Sequence, residues 1–423
     1  MDYRESLDYL YGLQRFGIKL GLDNIRGLLA GLEHPERDFA IAHVGGSNGK
    51  GSVSAMLARI VQEAGLRVGL YTSPHLHSFT ERIQVNGLPI AEDEVARLAV
   101  LIRARCTSIP ATFFEFTTAL ALLYFQHQQV DLAVIEVGMG GRLDATNVLS
   151  PRVSVITPVC RDHAEHLGSD LAAIAGEKGG IIKSRVPLVV GWQEPEALEV
   201  LQQQADRAEA PAFLFGRDFS VTAAPAGPAY EGLDLSLADL QPGLPGRHQW
   251  QNMALALAAA EILGRQGFAL PVMALRNGVA HVHWPGRLEW WRGKKTVLLD
   301  GAHNEGGALV LADYLRSLPV SGIRWVVGAK AQKDIRNILG PLLPLVNSVY
   351  AAPPPVDTPI APEEVARMAC EAGVAARPFC STAEALVSAL AERSSGEIVL
   401  VAGSLFLVAA AREFLMNQED TGS

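Results

Sequence analysis

The sequence predicts a P-loop-containing, doubly wound, mainly parallel α/β sheet with a second, smaller Rossmann-like α/β domain. Three observations predict it. Near-continuous apolar runs of strand length alternate with helix-length segments, the pattern of a parallel sheet covered on both faces. A Gly-rich loop, HVGGSNGKGS from His43 to Ser52, lies between one such run and a helical stretch. A second series of strand and helix segments starts near residue 296.

The elements follow in order. The first 38 residues suggest short helices and a Gly-containing loop, FGIKLGLDNI. DFAIAHV reads as a buried strand, followed by the Gly-rich loop and the helix KGSVSAMLARIVQEAG. LRVGLYT is a second strand, and FEFTTALALLYFQHQQ, apolar all round, is a largely buried helix. VDLAVIEV leads into GMGGRLDATN, and RVSVITPV leads into CRDHAEHLG. From about 210 to 245 Pro, Gly and Ala become frequent, which reads as a small β insertion. HQWQNMALALAAAEIL is then a helix. The second series has strands TVLLD, IRWVVGA, SVYAA, ARPF and EIVLVAG, with four helices between them. The boundaries are a first domain over 1–282, a linker over 283–289 within HVHWPGRLEW, and a second domain over 290–423.

Bulk composition excludes several classes. With 49% hydrophobic and 19% charged residues, the chain is a folded globular protein, not a disordered one. A net charge of −9 without a basic block argues against wrapping nucleic acid. Cys106, Cys160, Cys370 and Cys380 share no metal-type spacing and read as thiols in a reducing compartment. The start, MDYRESLDYLYGLQRFG, lacks signal-peptide character, and no apolar run has membrane-spanning length. A cytoplasmic protein that contacts no membrane is expected.

Polar residues collect after the apolar runs, where doubly wound sheets bind ligands. Backbone N–H groups of a Gly-rich turn can ring a phosphate, with the following helix adding its positive end and Lys50 a charge. A bare turn whose glycines only permit positive φ is the plain alternative; Gly-rich turn, lysine and hydroxyl together favour nucleotide. Glu136 ends a very apolar strand, where a carboxylate is costly to bury unless paired or metal-bound. An ion pair to Arg142 or Arg152 would serve an isolated glutamate. The adjoining Gly-rich GMGGRLDATN favours Mg²⁺, with Ser73 as a further oxygen donor. Among eleven histidines, His163 stands out only by following a strand beside Asp162, and histidine is an unusual Mg²⁺ ligand. Lys178, in AGEKGGII, reads by default as a solvated helix lysine; a lysine held near a metal can instead stay neutral and react with CO₂.

Together SNGKGS, TSPHLHSFTERI, EVGMGGRLDATN, DH…LG, GEKGGII, HQWQN, PGR and LDGAHN resemble the folylpolyglutamate synthase/dihydrofolate synthase family, a branch of the Mur ligase superfamily. They run in the family's order from residue 43 past 304. The resemblance implies an ATP-dependent amide ligase acting in folate biosynthesis. ATP phosphorylates a carboxylate, and the acyl phosphate is attacked by the amino group of L-glutamate. By motif, Ser47, Asn48, Gly49, Lys50, Gly51 and Ser52 cradle the phosphates, and Ser73, Glu136 and His163 ligate Mg²⁺. Lys178 matches a lysine that the superfamily carboxylates. Asn252, Arg287 and Asp300 match ATP contacts made across a domain interface, and His303 a residue near the phosphates. Thr112, Phe113, Phe114 and Glu115, with Leu143, Asp144 and Ala145, match the pterin-binding wall. A monovalent cation such as K⁺ and a monomeric state belong to the same expectation. Lys50, Glu136, His163, Lys178 and His303 are the expected catalytic group. Pro285 and Gly286 make the linker a natural hinge for closure of the smaller domain. Ser404, in AGSLFLV, is expected near glutamate. Ser47 stands where the family usually has Thr, and Cys160 and Arg161 where apolar or small residues are commoner.

Dihydropteroate and folates are the implied acceptors, and FGIKLGLDNIRGLL resembles the segment that admits dihydropteroate in bifunctional members. Other readings are a monofunctional folylpolyglutamate synthase, a cell-wall Mur ligase and a non-ligating ATP-dependent regulator. About forty residues precede the cradle, too few for the extra domain of cell-wall ligases. The second-domain LDGAHN argues against a regulator.

Overall fold

The computed structural model describes residues 1–16, 21–161, 170–291, 296–331 and 335–420. Its contacts divide the chain into two compact units, Met1–Gly243 with Gln249–His283 and Leu244–His248 with Trp284–Ser423. The chain thus passes between units at three points, two of them around a short segment that the sequence did not mark.

The apolar runs of the first unit become β1 (Ala40–Gly45), β2 (Val68–Tyr71), β5 (Leu132–Glu136) and β6 (Val153–Ile156). The shorter strands β3 (Ile83–Val85), β4 (Leu88–Pro89), β7 (Leu188–Val190) and β8 (Ala212–Leu214) complete an eight-stranded sheet of order β4-β3-β2-β5-β1-β6-β7-β8. Strands β2, β5, β1, β6, β7 and β8 are parallel; β3 and β4 add an antiparallel edge. Helices α1 (Tyr3–Gly12), α2 (Asp23–Gly31), α3 (Lys50–Glu63), α4 (Glu92–Arg105), α5 (Phe113–His127), α6 (Leu171–Lys178), α7 (Pro195–Arg207), α8 (Arg247–Arg265) and α9 (Val272–His281) accompany it. As its composition demands, α5 is buried along most of its length. The irregular stretch resolves into two parts. Residues 212–214 belong to the main sheet, and β9 (Ser220–Thr222), β10 (Ala229–Glu231) and β11 (Ser236–Leu237) form a separate antiparallel sheet.

Register brings the site together. Val44 lies opposite Glu136 on β5 and Val155 on β6, and Tyr71 lies opposite Ile135. The carboxyl ends of β2, β5, β1 and β6 are therefore level, and the loops that follow them emerge side by side.

In the second unit the order is β12-β13-β17-β14-β15-β16. These are β12 (Glu289–Trp291), β13 (Val297–Asp300), β14 (Gly322–Val327), β15 (Ser348–Ala351), β16 (Ala375–Pro378) and β17 (Glu397–Ala402). All pair in parallel except the edge strand β12, which the sequence did not suggest. Helices α10 (Glu305–Arg316), α11 (Ile335–Leu342), α12 (Pro362–Glu371) and α13 (Thr382–Ala391) follow the expected segments, and α14 (Leu405–Asp420) closes the chain. Much of the expected linker, 283–289, is built into this unit. Gly286, at φ +71°, accepts from Gly301 N at 2.8 Å and donates to Glu289 Oε2 at 2.8 Å. Its freedom turns the chain into β12. Among the described residues no helix is long and apolar enough to cross a membrane.

The helix after the Gly-rich loop is held by a close backbone approach. A methyl group at Gly278 on α9 would sit 2.5 Å from Ile60 Cα on α3. Gly278→Ala is expected to force the helices apart and cost about 1–3 kcal/mol of stability, read as a lower urea midpoint at unchanged m.

Candidate active site

The loop after β1 needs its glycines. Gly46 (φ +129°) and Gly49 (φ +93°) lie in backbone regions closed to L side chains. A methyl group at Gly46 would lie 2.0 Å from Thr157 Oγ1, and one at Gly49 would lie 2.4 Å from Asn252 Oδ1. The segment after β6 supports the loop from one side. Ser47 N donates to Pro158 O at 3.0 Å, and Ser47 Oγ is joined to both the N–H and the carbonyl of Cys160 at 3.1 Å. Asn48 Nδ2 donates to Cys160 Sγ at 3.4 Å. Gln193, unmarked in the sequence, fixes that segment by bonding Val159 N and Thr157 O. Asn252, held by Gln249 at 2.9 Å, supports the other side.

Two lysines converge on one carbonyl. Lys50, at the start of α3, donates through Nζ to Gly46 O at 3.2 Å and Ser47 O at 3.0 Å. Lys178, the last residue of α6, donates to the same Gly46 O at 2.9 Å. It is only 3% exposed, so it is not the solvated helix lysine of the default expectation. Two cations sharing one neutral acceptor make a site that attracts anionic oxygen. Gly51 and Ser52 form the buried first turn of α3, whose N-terminal end adds to that field.

Glu136, 5% exposed, accepts from the backbone N–H of Ser73 at 3.2 Å, which sets the two residues side by side. Arg142 is committed elsewhere, to Glu177 at 2.7 Å. Asp162 and His163 lie outside the described residues, among which no group of three or more His, Cys, Asp and Glu side chains is arranged to hold a metal. A carboxylate and a serine hydroxyl are hard oxygen donors and fit Mg²⁺.

The expected acceptor wall divides into shape-makers and surface. Thr112 and Glu115 cap α5 reciprocally: Thr112 N donates to Glu115 Oε2 at 2.7 Å, and Glu115 N to Thr112 Oγ1 at 3.3 Å. Asp144 is spent likewise on Met139 N, Thr146 N and the Thr146 hydroxyl. Phe113 and Phe114 are half-buried faces. Phe113 stacks on Tyr11 with centroids 5.6 Å apart, and Phe114 packs over Gly138, where a methyl group would be 2.4 Å from its ring. Leu143 is half-buried and Ala145 buried beside them in sequence.

His43 is a residue that the sequence reading passed over. It is wholly buried on β1, and its Nε2 lies 2.8 Å from Thr146 Oγ1, which lies 2.5 Å from Asp144 Oδ1. The Thr146 hydroxyl donates to the carboxylate, so it accepts from His43 Nε2–H, and the tautomer is assigned. His43 Nδ1 has no hydrogen-bond partner. Its one sequence signal was a polar residue inside an otherwise apolar strand.

In the second unit Asp300, at the end of β13, accepts from Leu288 N and Ala302 N, both at 2.9 Å. Burial pushes its carboxyl above the usual aspartate range, and the nearby Arg287 opposes that rise. Gly301 lacks the side chain that would meet Arg287 Nη1 at 2.7 Å. His303 Nδ1 lies 2.8 Å from Gly301 O. Arg287, Asp300 and His303 thus form one neighbourhood, while Ser404 caps the start of α14 just beyond β17.

Residues 44–260 match the family model described as Mur ligase middle domain, and residues 289–413 match that of the dihydrofolate synthetase C-terminal domain. With the cradle and its lysines, the first match defines the class: an ATP-dependent amide ligase of the Mur type. The Bacillus subtilis dihydrofolate synthase/folylpolyglutamate synthase is 36% identical, over 98% of this chain and 99% of its own. Escherichia coli FolC, solved with DHPP and ADP, superposes at TM-score 0.92 with 32% identity, covering 99% of each chain. A bifunctional folylpolyglutamate synthase/dihydrofolate synthase solved with Mn, AMPPNP and L-glutamate gives TM-score 0.88 at 31% identity, covering 98% of each chain. The chain belongs to the dihydrofolate synthase/folylpolyglutamate synthase family.

Burial, with Lys183 contributing, lowers the pKa of His43 from 6.5 to about 3. Between these values the unfolded chain binds a proton at this position that the folded chain does not, so this contribution to stability is full above pH 6.5 and is lost on acidification. His43→Gln is expected to remove about 2 kcal/mol of the stability difference between pH 7.5 and pH 5, measured by urea unfolding at both values.

Proposed function

We propose that this chain joins L-glutamate to dihydropteroate and to folates, with ATP as phosphoryl donor. A carboxylate oxygen of the acceptor attacks the γ-phosphorus, the bond to the β-phosphate oxygen breaks, and ADP leaves. The glutamate amine then attacks the acyl carbon; the C–N bond forms, phosphate departs and a proton is released. The observation that carries this reading is the level alignment of cradle, Ser73–Glu136 pair and β6 loop at adjacent strand ends. Similarity over nearly the whole chain to proteins solved with ADP and DHPP, or with AMPPNP, Mn and L-glutamate, supports the substrates.

The chain's own residues have separable tasks in this proposal. Gly46 to Ser52 hold the phosphates, Lys50 offsets their charge, and Asn252, Arg287 and Asp300 contact the nucleotide, with His303 near the phosphates. Ser73 and Glu136 hold Mg²⁺, with His163 as the further ligand that the resemblance implies. That ion would supply positive charge against the transferring phosphoryl group. Phe113, Phe114, Leu143 and Ala145 form the acceptor wall, shaped by Thr112, Glu115 and Asp144. An ATP-binding portion over 1–282, a C-terminal portion over 290–423, a monovalent cation such as K⁺, a monomeric state and a cytoplasmic location complete the proposal.

Purified protein given ATP, Mg²⁺, L-glutamate and dihydropteroate is expected to release phosphate and form dihydrofolate only when all four are present. Phosphate release that needs neither acceptor nor glutamate would overturn the reading. Tetrahydrofolate as acceptor separates a bifunctional enzyme from a single-acceptor one.

Lys178 is proposed to carry a carbamate, formed by its neutral amine and CO₂ with loss of one proton. Its position against the Gly46 carbonyl that also binds Lys50 supports this, because carboxylation converts two neighbouring cations into an ion pair. Native mass spectrometry is expected to find one added CO₂ on wild type in bicarbonate buffer, absent in Lys178→Arg; wild type at its unmodified mass would count against it.

A further inference from the structure

Arg82 is the one arginine in the buried class among the described residues, with 8% of its surface exposed. It ends the turn Phe79–Arg82 between β2 and β3. Its Nε donates to His75 Nδ1 at 2.7 Å, and its guanidinium lies over the Phe113 ring, 5.3 Å from the centroid. Glu136 and Glu81 are near enough to act on it electrostatically, yet neither accepts a hydrogen bond from it. Glu81 is committed to the N–H groups of Leu76, His77 and Ser78. Other sheltered arginines are treated differently: Arg324 meets Glu397 at 2.8 Å and Arg412 meets Glu289 at 3.0 Å.

A buried cation without a hydrogen-bonded anion costs several kcal/mol relative to one that is paired. The position of Arg82 says what would complete it. On one side is Phe113, a face of the acceptor wall. On the other is the loop that begins at Ser73, whose N–H meets Glu136. Because His75 accepts at Nδ1, its ring proton lies on Nε2 and is a second donor on the same loop. A guanidinium presents paired N–H groups that fit the two oxygens of a carboxylate.

We propose that Arg82, assisted by His75, receives the carboxylate of the acceptor, the group that is to be phosphorylated. This rests on the ligase reading above. Arg82 offsets the negative charge that would otherwise repel the carboxylate from ATP and orients one oxygen toward the nucleotide. Selection for a carboxylated acceptor is thereby placed in the turn after β2.

The test compares dihydropteroate with the same pterin–aniline lacking its carboxylate, by equilibrium fluorescence titration of wild type, Arg82→Gln and Arg82→Lys. Wild type is expected to prefer the carboxylated ligand roughly 10- to 100-fold. Arg82→Gln should lose that preference while binding the analogue and ATP as wild type does. Its melting temperature without ligand should be unchanged or higher, since a buried charge is removed. Arg82→Lys should restore part of the preference. Retained preference in Arg82→Gln, or equal loss for both ligands with a fall in melting temperature, would make Arg82 a structural pillar and overturn the assignment while wild-type turnover leaves the ligase reading intact. A wild type that neither binds nor consumes dihydropteroate would overturn the ligase reading itself.

Discussion

The Gly46 carbonyl is the point on which the candidate site turns. It faces the two ammonium groups of Lys50 and Lys178, brought from the helix that follows the loop and from the end of α6. It can do so because Gly46 has no side chain where Thr157 stands. The loop, the β6 segment and α6 are therefore one electrostatic unit. In the proposed reaction Lys50, already held by the Gly46 and Ser47 carbonyls, meets the phosphates with little reorganisation, while Lys178 is the proposed carbamate.

Around that centre, polar groups mostly shape backbone. Glu115 and Thr112 complete a helix cap, Asp144 gathers the N–H groups of the Gly-rich turn, and Gln193 braces the segment under Ser47. Glu261 does the same outside the site, accepting from Tyr230 and from the N–H groups of Leu233, Asp234 and Leu235 to seat the small antiparallel sheet. Asp144 and Glu261 are thus each stabilised by more than one backbone N–H group.

The fold was legible where apolar runs were long. β1, β2, β5, β6 and the parallel strands of the second unit announce themselves as apolar segments. Short strands such as β7 and the edge strand β12 do not, because a few residues carry too little periodicity. The loop, Ser73 and Glu136 were legible as motifs, and the sheet register explains why they meet. Thr112, Glu115 and Asp144 were marked by motif position, and their side chains cap and brace backbone. His43 carried little signal because its partner lies 103 residues away, and Arg82, although part of TSPHLHSFTERI, gains its meaning from the contacts with His75 and Phe113 that the fold makes.

Phe114 lies where Gly138 has no side chain. Neither residue can change alone in a lineage that reshapes this pocket: a larger residue at 138 displaces the ring, and a smaller one at 114 leaves a void above the glycine. The pair is a single heritable unit of pocket width, split across two motifs that lie 24 residues apart in the chain.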